Sequence, residues 1–208
     1  MSEKISALVL NTLYFDSLRD FTMVPKSGEG SRELEWLEMQ LREDSDRKFI
    51  LVFHVYGGSR YNSFALWNDY PNHVFFELLR IYRHRIIIEI GGHDHFSSLR
   101  YHSGSRVLDL FDPDYDFNFH NLIIAPSFTP WYQNNPAVSS FEINDALIPR
   151  NFRSTYWNLK PTIGKTHITP YSKLEFRDLD YPSEFGIDLL TADSIKAFAY
   201  ELEKDAEL

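Results

Sequence analysis

The apolar positions of the first 95 residues switch between two periods. Residues 6–11, SALVLN, form an apolar run too short for a helical repeat and therefore predict a buried strand. Residues 15–30 carry Pro25, Gly28 and Gly30 and predict a loop. Ser31 then caps a predicted helix in which Leu34, Leu37 and Leu41 recur at three-and-four spacing, while Glu33, Glu35, Glu38 and Arg42 take the wet side. The charged stretch EDSDRK, up to Lys48, ends it. Residues 49–53, FILVF, are apolar throughout, as strands covered on both faces are, and deliver His54 and the Gly57-Gly58 pair at their C-terminal end. After a polar loop to Pro71, Asn72 is placed to cap a second helix with the stripe Phe75, Leu78, Leu79 and Tyr82, which stops at Arg83, His84 and Arg85. Residues 86–90 are again strand-like and run into GGHDH at 91–95. Strand, helix, strand, helix, strand predicts an α/β layered fold with parallel pairing at its centre.

Beyond this the texture changes. Residues 106–110, 121–125, 139–143 and 153–159 read as short strands separated by turn-rich pieces. Thr191 caps a last amphipathic helix carrying Ile195, Phe198, Ala199 and Leu202, and the charged tail after Leu202 is expected to fray. There is no internal repeat and no low-complexity stretch.

Composition narrows the function classes. With 208 residues the chain suffices for one domain with a sizeable core plus a short appendage. A formal charge of −9 without clustered cations argues against a nucleic-acid or anionic-lipid partner. The absence of cysteine excludes disulfide scaffolds, thiolate zinc sites and cysteine nucleophiles. Apolar runs stop at about half a dozen residues, against the ~20 of a membrane-spanning helix, so no transmembrane segment is expected. The first residues, MSEKISALVLNTLYF, lack the pattern of a signal peptide, and nothing demands an oxidising compartment. The 4 Trp, 12 Tyr and 17 Phe are a large planar payload, expected mostly in the core.

Two strand ends present histidines beside glycines: His54 ahead of Gly57-Gly58, and His93 with His95 after Gly91-Gly92. In open α/β sheets ligands gather outside the carboxyl ends of strands, which places both groups where a site is expected. The His93-x-His95 spacing sets two imidazoles on one side of an extended segment, able to bind one metal ion or a pair. With 8 His in 208 residues chance yields about 0.3 such pairs, so the motif alone is weak, and its place after an apolar strand and two glycines is what raises it. Metal binding and a hydrogen-bonded structural pair both fit this pattern. Asp94, between them, is expected to point away from a metal or to orient a histidine. His73 and His84 fall on the second helix; His102, His120 and His167 lie in irregular regions without a paired ligand. The acidic run 109–116 lacks the spacing and closing Glu of an EF-hand and reads as a solvated loop. No phosphate-cradling glycine loop, nucleophile elbow or dinucleotide fingerprint occurs.

The order VLNTLYFD, a helix with EWLEMQL, FILVFHVYGG, IIIEIGGHDH and LIIAPSFTPWYQNNPAVSSFEI resembles the second half of calcineurin-like metallophosphoesterases, most closely the acid sphingomyelinase-like phosphodiesterases, over about residues 7–202. The resemblance implies the C-terminal part of a four-layered α/β/β/α sandwich with mixed sheets, ending in an amphipathic helix. Residues 1–160 would be the half-domain and 161–208 an extension with that helix. It implies a dinuclear, usually zinc, centre: His54 matches the histidine of a His-Ile-Pro-Pro-Gly segment and His93 the first of Gly-His-Thr-His, both ligands of one metal, and His95 matches the ligand of the other. Asn134, Asn135 and Pro136 match a turn at the rim, where Trp131 and Tyr132 would meet a substrate headgroup.

Two departures modify this. HVYGG replaces the stiff prolines with Tyr56 and glycines, so the loop after His54 is expected to be less fixed. The Asp-x-His pair, bridging aspartate and Gly-Asn-His-Asp/Glu segment of the family's first half have no counterpart in this sequence, which is expected to begin where that half ends. Three imidazoles without a bridging carboxylate do not hold two ions in the family's manner, although one ion on His54, His93 and His95 with an open water position remains compatible. The implied function is phosphomonoester or phosphodiester hydrolysis, inactive in this chain alone, with the first half or a second chain covering the open sheet. The alternative is a non-catalytic structural or interaction subunit. Members of that family are often secreted or lysosomal.

Overall fold

The structure is a computed structural model that describes residues 4–18, 28–59, 65–102, 120–130, 134–159 and 175–206. Three parallel strands lie side by side, β1 (Lys4–Leu10), β2 (Arg47–Phe53) and β3 (Ile86–Gly91). Helix α1 (Glu29–Arg42) links the first pair and α2 (Asp69–Tyr82) the second. The two helices touch each other, so both crossovers lie on the same side of the sheet. Their buried stripes, Leu34, Leu37 and Leu41 on α1 and Phe75, Leu78 and Leu79 on α2, share the core with Leu8, Leu10, Phe49, Leu51 and Phe53. Trp67 ties this core together, its ring 4.8 Å from Phe15 and 5.0 Å from Phe75. β4 (Ser98–His102) and β5 (His120–Ile124) complete a five-stranded mixed sheet of order β1-β2-β3-β5-β4.

Covering of the sheet is one-sided at β1 and β2. On β1, Leu8 and Leu10 are buried, whereas Ile5, Ala7 and Val9 on the other face are exposed, Val9 at 69%. The register places Ala7 against Ile50 and Val9 against Val52, both half-buried. The unbroken apolar run of β2 therefore does not mean equal cover on its two faces, contrary to the expectation from sequence.

Both helices start earlier than their expected caps. α1 begins after Gly28, and Ser31 is buried inside its first turn. The cause is Gly30: a Cβ there would lie 3.1 Å from Phe15 Cε1, so the missing side chain lets the helix pack directly on that ring. α2 begins after Asn68, with Pro71 in its first turn, where the missing N–H costs no helical bond. Asn72 is engaged elsewhere, its Oδ1 accepting from the Gly58 N–H at 2.9 Å.

The chain divides into two compact units, Met1–His93 with Tyr101–Ile123, and Asp94–Arg100 with Ile124–Leu208. The second holds an antiparallel sheet of β6 (Ala137–Ile143), β7 (Pro149–Asn158) and β8 (Glu175–Asp180), then α3 (Tyr181–Phe185) and α4 (Ala192–Ala206). Its core includes Phe152 against Tyr181, with ring centroids 4.7 Å apart, and Leu190 and Ile195. Thr191 caps α4 as expected, its Oγ1 accepting from the Ser194 N–H at 3.1 Å. The strand expected at 106–110 lies outside the described residues. β4, β8 and α3 had no counterpart among the expected elements; β8, EFRDLD, is an edge strand whose first four residues are exposed, so it carries no hydrophobic alternation to detect. No helix among the described residues is long and apolar enough to cross a membrane.

Candidate metal centre

His54 follows the last residue of β2, and His93 stands two residues past the end of β3. Because β2 and β3 are parallel neighbours, both side chains leave from the same, carboxyl end of the sheet. The Gly92 N–H donates to the His54 carbonyl at 2.9 Å and ties the two strand ends together. A Cβ at residue 92 would stand 3.4 Å from His54 Nδ1, an ordinary contact that places this backbone directly against the imidazole. His54 Nε2 and His93 Nδ1 are 3.4 Å apart, with the rings nearly perpendicular at 87°.

That separation is compatible with two roles. An N–H···N hydrogen bond would be better made near 3.0 Å. Two nitrogens on a tetrahedral zinc at about 2.0–2.1 Å stand about 3.3–3.4 Å apart, the edge of the tetrahedron. At 3.4 Å the contact is a long hydrogen bond by geometry, and its nitrogen spacing equals that of two ligand positions on one such ion. Among the described residues no group of three or more His, Asp or Glu side chains is placed to hold a metal, and His54 with His93 brings two nitrogens together without a third donor beside them.

The backbone at this end is strained. His93 has φ 80° and His95 φ 64°, in the left-handed region that L-residues avoid and that costs on the order of 1–3 kcal/mol at a non-glycine position. Such outliers persist where the surroundings hold them and cluster at functional sites. His95 belongs to the second unit. Asp94, also in that unit, is buried, and its Oδ2 is 3.5 Å from the Arg100 Nη2; the carboxylate thus serves an ion pair.

The loop after His54 is held more firmly than its glycines suggested. Val55 and Tyr56 are buried at 1% and 0% exposure. The Val55 N–H donates to Thr12 Oγ1 at 3.0 Å, its carbonyl accepts from Trp67 Nε1 at 3.1 Å, and Gly58 is held by Asn72. The buried Tyr56 ring packs this segment into the core. Thr12, which this arrangement requires, escaped sequence reading; its only signal is its place just after the β1 run. Close by, Glu33 Oε1 accepts from the Asn11 N–H at 2.7 Å, and burial raises its carboxyl above the usual range. The Tyr14 hydroxyl is raised as well, chiefly by its hydrogen bond to Glu29.

Trp131 and Tyr132 lie outside the described residues. Asn134 is half-buried, and Asn135 uses its Oδ1 to accept from the Leu159 N–H at 3.0 Å, closing the end of β7. No protein-family model matches this chain, and no curated protein matches it.

Proposed function

We propose that this chain carries part of a calcineurin-like metallophosphoesterase centre, with His54 and His93 as ligands of one divalent ion, by preference zinc, and His95 as a ligand of a second. Its sheets would belong to the four-layered sandwich of that family. The observation that carries the reading is the 3.4 Å between His54 Nε2 and His93 Nδ1 at the carboxyl end of parallel strands. A bound ion would supply an activated water and polarise a phosphoryl oxygen. The chain's own part is to present two adjacent imidazoles, their strand ends fixed by the Gly92–His54 backbone bond and by the Thr12 and Trp67 anchors on Val55. The remaining donors, a bridging carboxylate among them, come in this reading from polypeptide seated on the exposed row Ile5, Ala7 and Val9 of β1, which offers apolar side chains and, among the described residues, the edge of the sheet.

Zinc and cobalt titration by calorimetry tests the half-site. The expected result is about one ion per chain, at least tenfold weaker for His54→Ala and for His93→Ala, with tetrahedral cobalt absorption in the parent chain. Unchanged binding in both variants would overturn the assignment. The isolated chain with added zinc is expected not to cleave bis-p-nitrophenyl phosphate, whereas the assembled complex cleaves it and loses that activity with His93→Ala. The same exposed row also favours a second reading, a non-catalytic interaction subunit; a stable complex that takes up no metal would select it.

A further inference from the structure

A second feature lies wholly within the second unit. The turn after α3 and one face of α4 border an open groove of about 830 Å³. Gly186, left-handed at φ 70°, ends α3: its N–H bonds back to the Pro182 carbonyl at 3.0 Å, and the chain reverses there to form one wall. The other wall is the row Ser194, Ala197, Phe198 and Glu201, spaced as one face of a helix. The small Ala197 side chain keeps this wall open.

The lining has two chemistries. The Phe185 and Phe198 rings meet tilted, with centroids 5.5 Å apart, and Phe185 on α3 and Tyr200 on α4 are 42% and 59% exposed, so two large aromatics face outward at the groove. Around them stand the carboxylates of Glu184, Asp188 and Glu201. No Lys or Arg side chain lines the groove among the described residues. The nearby Arg150 reaches Asp188 at 3.2 Å, an exposed pair of the kind that contributes little and exchanges readily with another cation.

From this complementarity we infer that the groove binds a basic amphipathic peptide segment of a partner protein, apolar side chains on the aromatic floor and Lys or Arg against the acidic rim. Aromatic anchors in a groove with a charged border are the usual make-up of helix-in-groove recognition, and the excess of carboxylates on the rim, three against the one guanidinium of Arg150, selects the sign of the ligand. An acidic peptide or a polyanion is repelled by the same rim. This inference does not rest on the metal reading, since none of its residues belongs to that site.

The test uses the full chain and a fluorescein-labelled twelve-residue peptide of alternating Leu-Leu and Lys-Lys pairs, read by anisotropy. The expected result is saturable binding, with affinity lowered at least tenfold by Ala197→Trp, which fills the groove from an exposed position. The triple variant Glu184→Gln, Asp188→Asn, Glu201→Gln should lower it by a similar factor. Removing the same three charges at exposed positions elsewhere, Glu35→Gln, Glu38→Gln and Asp145→Asn, should leave it within twofold. Equal losses in the two triple variants would reduce the effect to net charge and overturn the proposal. So would undiminished binding in Ala197→Trp, or equal binding of the peptide with Glu in place of Lys.

Discussion

Arg85 offers the sharpest test of how the first unit holds its shape. It is 4% exposed, and its guanidinium donates through Nε to the Arg47 carbonyl at 3.0 Å, through Nη1 to Leu41, and through Nη2 to Glu43 at 2.8 Å and to Asp44. Leu41 lies in the last turn of α1, and Glu43 and Asp44 follow it, so one side chain takes up the carbonyls a helix end leaves open and sets positive charge at the negative pole of its dipole. It also lies 5.3 Å above the Phe49 ring. Replacement by methionine keeps the length and removes the fork. Charge-assisted bonds net about 1.5–3 kcal/mol each, but the exposed Glu43 and Asp44 carbonyls regain water, and methionine avoids desolvating a cation. The loss is then set by the buried Leu41 carbonyl and the half-buried Arg47, about 3–4 kcal/mol for Arg85→Met and about 2 for Arg85→Lys, which keeps charge without the planar fork. Exposed Arg83, bonded only to the Arg80 carbonyl among its described contacts, should cost under about 0.5 kcal/mol as Arg83→Met. Urea unfolding followed by tryptophan fluorescence measures all three. A loss below about 1 kcal/mol for Arg85→Met, or one equal to that of Arg83→Met, would refute the capping role.

Glu33 holds its proton more tightly in the folded chain because it is desolvated, so its favourable contribution is complete below its unfolded pKa and fades as pH rises through the folded one. Glu33→Gln keeps an oxygen for the Asn11 N–H and should gain stability over the parent at pH 7 but not at pH 4; urea midpoints at both pH values check the sign. Thr12→Val leaves the buried Val55 N–H without its acceptor and should cost about 1–3 kcal/mol, whereas Thr12→Ser should recover most of it. His93→Asn suits the left-handed backbone better than histidine and should stabilise by up to about 1 kcal/mol while abolishing metal uptake. A variant that loses stability, or still binds zinc as the parent does, would count against the half-site.

Elements of the first unit were legible because each apolar run stands between strong punctuators: SALVLN, the leucine stripe of α1, FILVF, the Phe75–Leu79 stripe and IIIEI all became the strand or helix their period implied. Helix starts were not, since both were decided by contacts distant in sequence. Phe15 on Gly30 drew α1 forward, and Gly58 took the Asn72 side chain expected to cap α2. The Arg85 fork was hidden in a basic RHR segment that reads as a helix-dipole complement on the surface, because nothing local shows that four carbonyls converge on one of its two arginines. β8 escaped for the opposite reason, an edge strand exposed for most of its length having no core face to impose a pattern.

The histidine pair shows where a local pattern ends and register takes over. Glycine-flanked histidines after two apolar strands could be located on the sheet's carboxyl edge, but their contact depends on how far each strand runs. Val52 lies opposite Ile90, so His54 stands two residues beyond that rung and His93 three. A fully extended chain would carry the later imidazole one residue, about 3.3 Å, past its partner. The left-handed turn at His93 takes up that excess residue, and the Gly92 bond to the His54 carbonyl fixes the chain where it does so. Sequence composition does not encode a positive φ at a histidine; here it directly follows the tie at residue 92 and accompanies the placement of the His93 ring beside His54. Backbone strain and the imidazole contact thus meet at one residue, so asparagine at position 93 should relieve the first and, having no imidazole, remove the second without unfolding the sheet beneath it.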